Sequence, residues 1–334
     1  MIHIRKKYSL LSHNTFGISA TADTFVVSDN MNELRDTLRT AAMPVLVLGG
    51  GSNLLFVSDT CPLVVHPALK GIELTGEDSE TVLVRACSGE VWDDLVTWSI
   101  ARNYSGLENL SLIPGNVGAC PVQNIGAYGA EAQDVIESVE TLHIADGKQQ
   151  PFSKQECRFG YRDSFFKQNR GKYLIVSVTF RLSKTFVPNL AYSGLKSMLP
   201  NGNISMATVR EAVVKMRRQK LPDHPLLGNA GSFFKNPAVS SQQAEALKSE
   251  YPALPLYTAA GGLNKLSAAW LIEQCGWKGK RNKQGNVGAY DRQPLILVNY
   301  GGASGKEVLD FASEIIRSVE EKFGVRMEPE VNMI

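Results

Sequence analysis

The chain has 334 residues, room for two or three domains with real cores. With 43% hydrophobic and 20% charged residues, its composition is that of an ordinary globular protein. A net charge of +2 offers no basic surface for nucleic acid or membrane, and no apolar run reaches the length of a membrane span.

Met1–Lys7 is basic, but no apolar segment follows it, so a secretion signal is not expected and a cytoplasmic protein is. The five cysteines are widely spaced without a Cys-x-x-Cys pair, which suits reduced thiols and argues against a disulfide framework or zinc site. From residue 16 to about 69, short strands at Phe25–Val27, Val45–Leu48, Leu54–Val57 and Leu63–Val65 surround one helix near Asn32–Thr40. Gly49-Gly50-Gly51-Ser52-Asn53 joins two of these strands. A doubly wound dinucleotide fold needs a glycine at position 54 and then a helix; here Leu54 opens a strand, so that fingerprint is rejected. A plain hairpin is the simplest alternative, although it needs fewer glycines than these.

A second block opens with a strand at Thr81–Arg85 and a helix at Val91–Arg102, and closes with strands at Ser138–His143 and Tyr173–Leu182. Between them, Pro114–Gly129 carries no charged side chain and is rich in Gly, Pro and Asn. Glycine lets main chain lie against a ligand, and clustered N–H groups hold an anion without a lysine. A long buried loop leaves backbone polar groups in need of partners, which a bound polar cofactor supplies. Cys120 lies inside this segment, where a thioether to a cofactor is conceivable but a small buried residue is favoured.

Arg162, in Phe159–Ser164, is placed either to hold a carboxylate in a fork or to pair with Asp163 at the surface. Lys215, Arg217, Arg218 and Lys220 form either a solvated helix face or a diphosphate clamp, and spacing alone favours the solvated face. Their helix must stop at Leu221-Pro222, which marks a domain boundary. Asn229–Pro237 reads as a lined pocket around Ser232, or as a polar turn capping a strand; it lacks the elbow of a hydrolase nucleophile. Helices are expected at Gln242–Ser249 and Lys265–Cys275, and a strand at Leu295–Val298. Gly301–Lys306 is one residue short of a phosphate loop, and it leads into a helix, Gly305–Phe323, with Val308, Phe311, Ile315 and Val319 on one face. A strand-like tail follows at Arg326–Val331, and the class is α+β.

Taken in order, Asn14–Gly17, Gly49–Asn53, Gly106–Leu110, Ile113–Gly115, Gln123–Gly129, Cys157–Ser164, Lys220–Pro222, Asn229–Pro237 and Glu328–Val331 resemble the UDP-N-acetylenolpyruvoylglucosamine reductases over essentially the whole chain. Ala191–Leu195 resembles the substrate-covering loop of the type I members. The resemblance implies an FAD-binding fold of the vanillyl-alcohol-oxidase/PCMH type. Its two α+β flavin subdomains would span 1–69, joined by the tail 324–334, and 70–221, with a substrate-binding domain at 222–323. Non-covalent FAD is implied at Gly49, Gly50, Gly51, Ser52, Asn53, Pro114, Gly115, Asn116, Gly118, Ala119, Ile125 and Gly126.

The same resemblance implies NADPH as co-substrate and reduction of UDP-N-acetylenolpyruvoylglucosamine to UDP-N-acetylmuramate for bacterial peptidoglycan, by a monomer without nucleic-acid or membrane partners. Hydride would reach the enolpyruvyl methylene carbon. Arg162 and a protonated Glu330 would stabilise the developing charge, and Ser232 would deliver the proton. Tyr128, Tyr192, Arg217, Lys220, Asn236 and Gln293 are the implied substrate contacts. Glu328 shares the tail, and the motif favours Glu330.

Overall fold

The computed structural model of the chain describes residues 2–41, 44–200, 202–258 and 260–334. They form two compact units: Met1–Ser9, Thr21–Gly51 and Thr60–Arg217 in the first, and Leu10–Ala20, Ser52–Asp59 and Arg218–Ile334 in the second.

The first unit holds a four-stranded sheet in the order His3–Ser9, Thr21–Ser28, Thr60–Pro67, Val45–Val47. It also holds a five-stranded antiparallel sheet in the order Gln149–Ser153, Ile136–His143, Tyr173–Ser183, Thr81–Cys87, Ile72–Glu77. Tyr173–Ser183 is buried nearly throughout because both its faces are covered. Leu174 and Val176 enter one core with Leu34 and Leu38, while Ile175, Val178, Phe180 and Leu182 enter another with Trp92, Leu95 and Val96. Each of these side chains contributes about 1.5–3 kcal/mol by leaving water. Leu34 and Leu38 come from helix Met31–Thr40, capped by Asn30, whose side chain accepts from the N–H groups of Asn32 and Glu33.

The second unit pairs Gly228–Ser232 with Ile296–Asn299, and Ile296–Asn299 with Val287–Ala289. Helix Gly305–Phe323 buries Val308, Phe311, Ala312, Ile315, Val319 and Phe323, the stripe its spacing requires. Its ends are set by a Ser304/Glu307 capping box and by Gly324 in the left-handed region.

Two expectations need correction. The helix expected at Lys265–Cys275 starts only at Ala268, because Leu263–Leu266 pairs in a sheet and Ser267 caps the helix. The tail strand is shifted to Asn332–Met333, which pairs in parallel with Leu54–Leu55. The plain hairpin, the alternative that needed fewer glycines, is not formed: Val45–Val47 pairs with Thr60–Pro67 and Leu54–Leu55 with Asn332–Met333, so the strands flanking the glycine turn belong to different sheets.

Candidate active site

The first unit places the turn Gly49–Gly51 directly after an edge strand. Among the described residues, the N–H groups of Gly49, Gly50 and Gly51 meet no acceptor, and neither do those of Gly115 and Asn116. The loop carrying the second pair lies against the first. A Cβ on Gly50 would stand 2.8 Å from the Gly115 Cα, so any other residue there would push the two loops apart. The Pro114–Ala119 loop is fixed from behind: Trp92 N–H donates to the Gly115 carbonyl at 3.0 Å, Val117 N–H to Glu90 at 2.8 Å, and Gly118 N–H to Ser88 at 3.0 Å. The Ser88 hydroxyl is buried beside it without a partner among the described residues. A preorganised set of N–H donors fits the diphosphate of the flavin nucleotide expected from the sequence. Burial pushes the Cys120 thiol well above its ordinary pKa, so it is a buried space-filler and not a ready nucleophile.

Farther along the loop, Ile125 is buried and Gly126–Ala127 forms a two-residue ladder with Ala130–Glu131. Arg162 Nη2 donates to the Gly126 carbonyl at 2.7 Å, and a Cβ on Gly126 would stand 2.8 Å from Arg162 Nη1. Asp163 is engaged elsewhere, accepting from Ser164 N–H and from Gln168 Nε2. The surface Arg162–Asp163 pair is therefore not what the chain builds. Asn124, Tyr128 and Arg162 all hold positive φ, +47°, +51° and +53°, a strained geometry that clusters at functional sites. Asn124 is kept there by its side chain, which donates to Glu131 and to the Gly160 carbonyl.

Tyr128 is buried, and burial pushes its hydroxyl up to about 12, an effect that the nearby Arg217 opposes. On helix Met206–Lys220, Lys215 and Arg218 face solvent, but Arg217 turns inward and donates to the Leu112 carbonyl at 3.2 Å. Desolvation pulls its guanidinium below the ordinary arginine pKa. The basic run thus divides, with only part of it solvated. Lys220 is half-buried at the end of the helix. Sequence reasoning missed Asp93, which accepts from both Nη atoms of Arg210 at 2.6 and 2.8 Å. Burial works against its charge, but the bonds from Arg210 and from Leu112 N–H hold the carboxyl below its usual value.

The second unit builds a constellation around Ser232. This half-buried serine ends a strand, and its hydroxyl has no partner among the described residues. The strand is held by the Asn14–Gly17 segment: Thr15 Oγ1 donates to the Asn229 carbonyl at 2.7 Å, and Asn229 N–H donates to Thr15 at 2.9 Å. The tail then runs antiparallel beside it, with Glu330 N–H donating to Phe233 at 2.8 Å and Lys235 N–H to Glu328 at 2.9 Å. Glu330 is half-buried there, and Asn53 Nδ2 donates to its carbonyl at 3.4 Å. Glu328 instead points outward and pairs with Lys235 at 3.2 Å. Asn236 Oδ1 accepts from Ala268 N–H at 3.0 Å, and its NH₂ meets no acceptor among the described residues. Gln293 is half-buried in the turn before Ile296–Asn299, the strand that pairs with that of Ser232. Among the described residues no group of His, Cys, Asp and Glu is arranged to hold a metal ion, and no helix is long and apolar enough to cross a membrane.

Comparison with known proteins adds family relations. Residues 222–334 match the profile of the UDP-N-acetylenolpyruvoylglucosamine reductase C-terminal domain, and residues 22–153 that of the FAD binding domain. Over 339 aligned residues the chain is 46% identical to UDP-N-acetylenolpyruvoylglucosamine reductase of Amoebophilus asiaticus, with 99% of each covered. The enzyme of the same name from Pseudomonas aeruginosa is 45% identical over 338 residues, again with 99% of each covered. The crystal structure of UDP-N-acetylenolpyruvylglucosamine reductase from Thermus caldophilus superposes with a TM-score of 0.69 at 25% identity, covering 100% of this chain and 98% of that one.

Proposed function

The chain belongs to the UDP-N-acetylenolpyruvoylglucosamine reductase family, and from that premise we propose that it reduces UDP-N-acetylenolpyruvoylglucosamine to UDP-N-acetylmuramate at the expense of NADPH. It is an FAD-dependent oxidoreductase of peptidoglycan precursor synthesis, with the α+β FAD-binding fold of the vanillyl-alcohol-oxidase type. The observation that supports the reading best is the pairing of Glu328–Glu330 with Phe233–Lys235, which brings a half-buried carboxyl next to the strand of Ser232.

FAD, when bound at the two glycine loops, supplies the hydride for the enolpyruvyl methylene carbon. Charge then develops at the neighbouring carbon and spreads into the substrate carboxylate. The Arg162 guanidinium offers forked donors to that carboxylate, already aimed by the Gly126 carbonyl. Glu330, carrying a proton, is the second donor to that developing charge. Ser232 gives its proton to the carbon; a hydroxyl is a weak acid, but a carbanion is base enough to take it. Tyr128, Tyr192, Asn236 and Gln293 orient the sugar nucleotide, and Arg217 and Lys220 meet its diphosphate. The Tyr192 loop makes this a type I member, acting as a cytoplasmic monomer.

The test is NADPH consumption by the purified protein with and without UDP-N-acetylenolpyruvoylglucosamine. Oxidation should depend on the sugar nucleotide. Equal oxidation in air without it would point to a flavin oxidase on the same fold.

A further inference from the structure

Leu112 stands immediately before Ile113-Pro114-Gly115, the entry to the loop that packs on Gly50. Its φ is +58°, a left-handed geometry that costs a non-glycine residue about 1 kcal/mol or more. Its peptide groups are held from both sides. The N–H donates to Asp93 Oδ1 at 2.6 Å, and the carbonyl accepts from Arg217 Nε at 3.2 Å.

Asp93 lies in the first turn of helix Trp92–Ile100, and both its oxygens are gripped by Arg210. Arg210 and Arg217 sit two turns apart on helix Met206–Lys220, on the same side of it. The ion pair is only 22% exposed on each side, so its bidentate geometry is screened far less than that of a surface pair. A closed circuit results: Arg210 to Asp93, Asp93 to Leu112, Leu112 to Arg217, and back along the helix. It joins a residue assigned to the substrate diphosphate with a loop assigned to the flavin.

We propose that Asp93 and Arg210 are positioning residues, which act through Leu112 and Arg217 to set the flavin loop and the sugar-nucleotide arginine in one geometry. The proposal rests on the functional reading above. It makes the two binding sites share a support, so loosening that support weakens both ligands together.

The experiment measures the FAD dissociation constant of the apoprotein by flavin fluorescence, the KM for UDP-N-acetylenolpyruvoylglucosamine, and kcat, in wild type, Asp93→Ala, Asp93→Asn and Arg210→Lys. Asp93→Ala should raise both the FAD dissociation constant and KM about tenfold, with kcat changed less than either. Asp93→Asn keeps an acceptor for Leu112 N–H and so serves if the alanine variant does not fold; it and Arg210→Lys should shift both constants in the same direction by less. A fall in Tm with both constants unmoved would make the pair merely structural and overturn the proposal. A shift confined to one ligand would overturn it as well. Wild-type protein without sugar-nucleotide-dependent turnover would overturn the functional reading and this proposal with it, whereas active wild type with unresponsive variants would remove the proposal alone.

Discussion

Tyr192 lies edge-on to Tyr128, with ring centroids 4.9 Å apart and planes at 65°. The contact is held by amides beneath it: Asn109 Nδ2 donates to the carbonyls of Tyr128 and Asn189 at 2.8 and 2.9 Å, and Asn189 Nδ2 donates to Gly129 at 2.9 Å. Tyr192 itself remains 36% exposed, which a core tyrosine would not be. A side chain that covers substrate touches ground state and transition state alike. Tyr192→Ala should therefore raise KM and leave kcat less affected, and proteolysis near residues 190–195 should slow when substrate is added. A lower Tm with unchanged KM, or cleavage indifferent to substrate, would reduce Tyr192 to packing.

Ser232→Ala should separate the half-reactions. Reduction of the flavin by NADPH needs no proton on carbon and should stay near normal. Turnover of the enolpyruvyl substrate should fall about 10²–10⁴-fold, the usual contribution of positioned proton transfer. Equal losses in stopped-flow traces of both halves would assign Ser232 to the turn and not to the proton.

The two tail carboxylates should behave differently. Glu328 makes a surface pair with Lys235, an arrangement that contributes about 0–1 kcal/mol, so Glu328→Gln should leave activity and Tm nearly unchanged. Glu330→Gln should collapse turnover while the flavin still binds. Similar kinetics for the two variants would mean that the tail's backbone pairing, not its second carboxyl, is what matters.

Tyr128 gives a signature at alkaline pH. Burial holds its proton to about 12, whereas an unfolded tyrosine releases it near 10. Its contribution to stability is thus complete below about pH 10 and is lost as pH rises through about 12. Denaturant unfolding of Tyr128→Phe across that window should decline less steeply than that of wild type. Parallel declines would contradict the burial.

Gly50→Ala should force the two glycine loops apart, since the new methyl would meet the Gly115 Cα at 2.8 Å. An overpacking cost of about 1–3 kcal/mol and weaker FAD retention should follow, measured by thermal melting and by flavin loss on dialysis. Full flavin retention would show that the loops have room to yield.

Local signals carried some of this and not the rest. Leu54 after the glycines was enough to reject a dinucleotide fingerprint, and the spacing of Val308, Phe311, Ile315 and Val319 gave the buried face of the long helix. Helix start and strand end blur at Lys265–Ser267, where Leu266 suits either element and pairing with Ala238–Ser240 and Leu256–Thr258 decides. The edge strand His3–Ser9 escaped notice because it is mostly exposed and shows no apolar alternation. Asp93 and Arg210 are 117 residues apart, a distance over which a lone Asp and Arg announce nothing. Glu330 was singled out by family likeness; that its backbone bonds to Phe233 belongs to tertiary pairing, which no local pattern encodes.

The second unit draws on Leu10–Ala20 and Ser52–Asp59 as well as Arg218–Ile334. It is therefore not a portable cassette. A fragment cut at residue 218 loses the Thr15 partner of Asn229 and the strand on which Asn332–Met333 rests. Chimeras that trade this unit between relatives would have to exchange all three stretches together, or Ser232 would arrive without the Asn14–Gly17 segment that holds its strand.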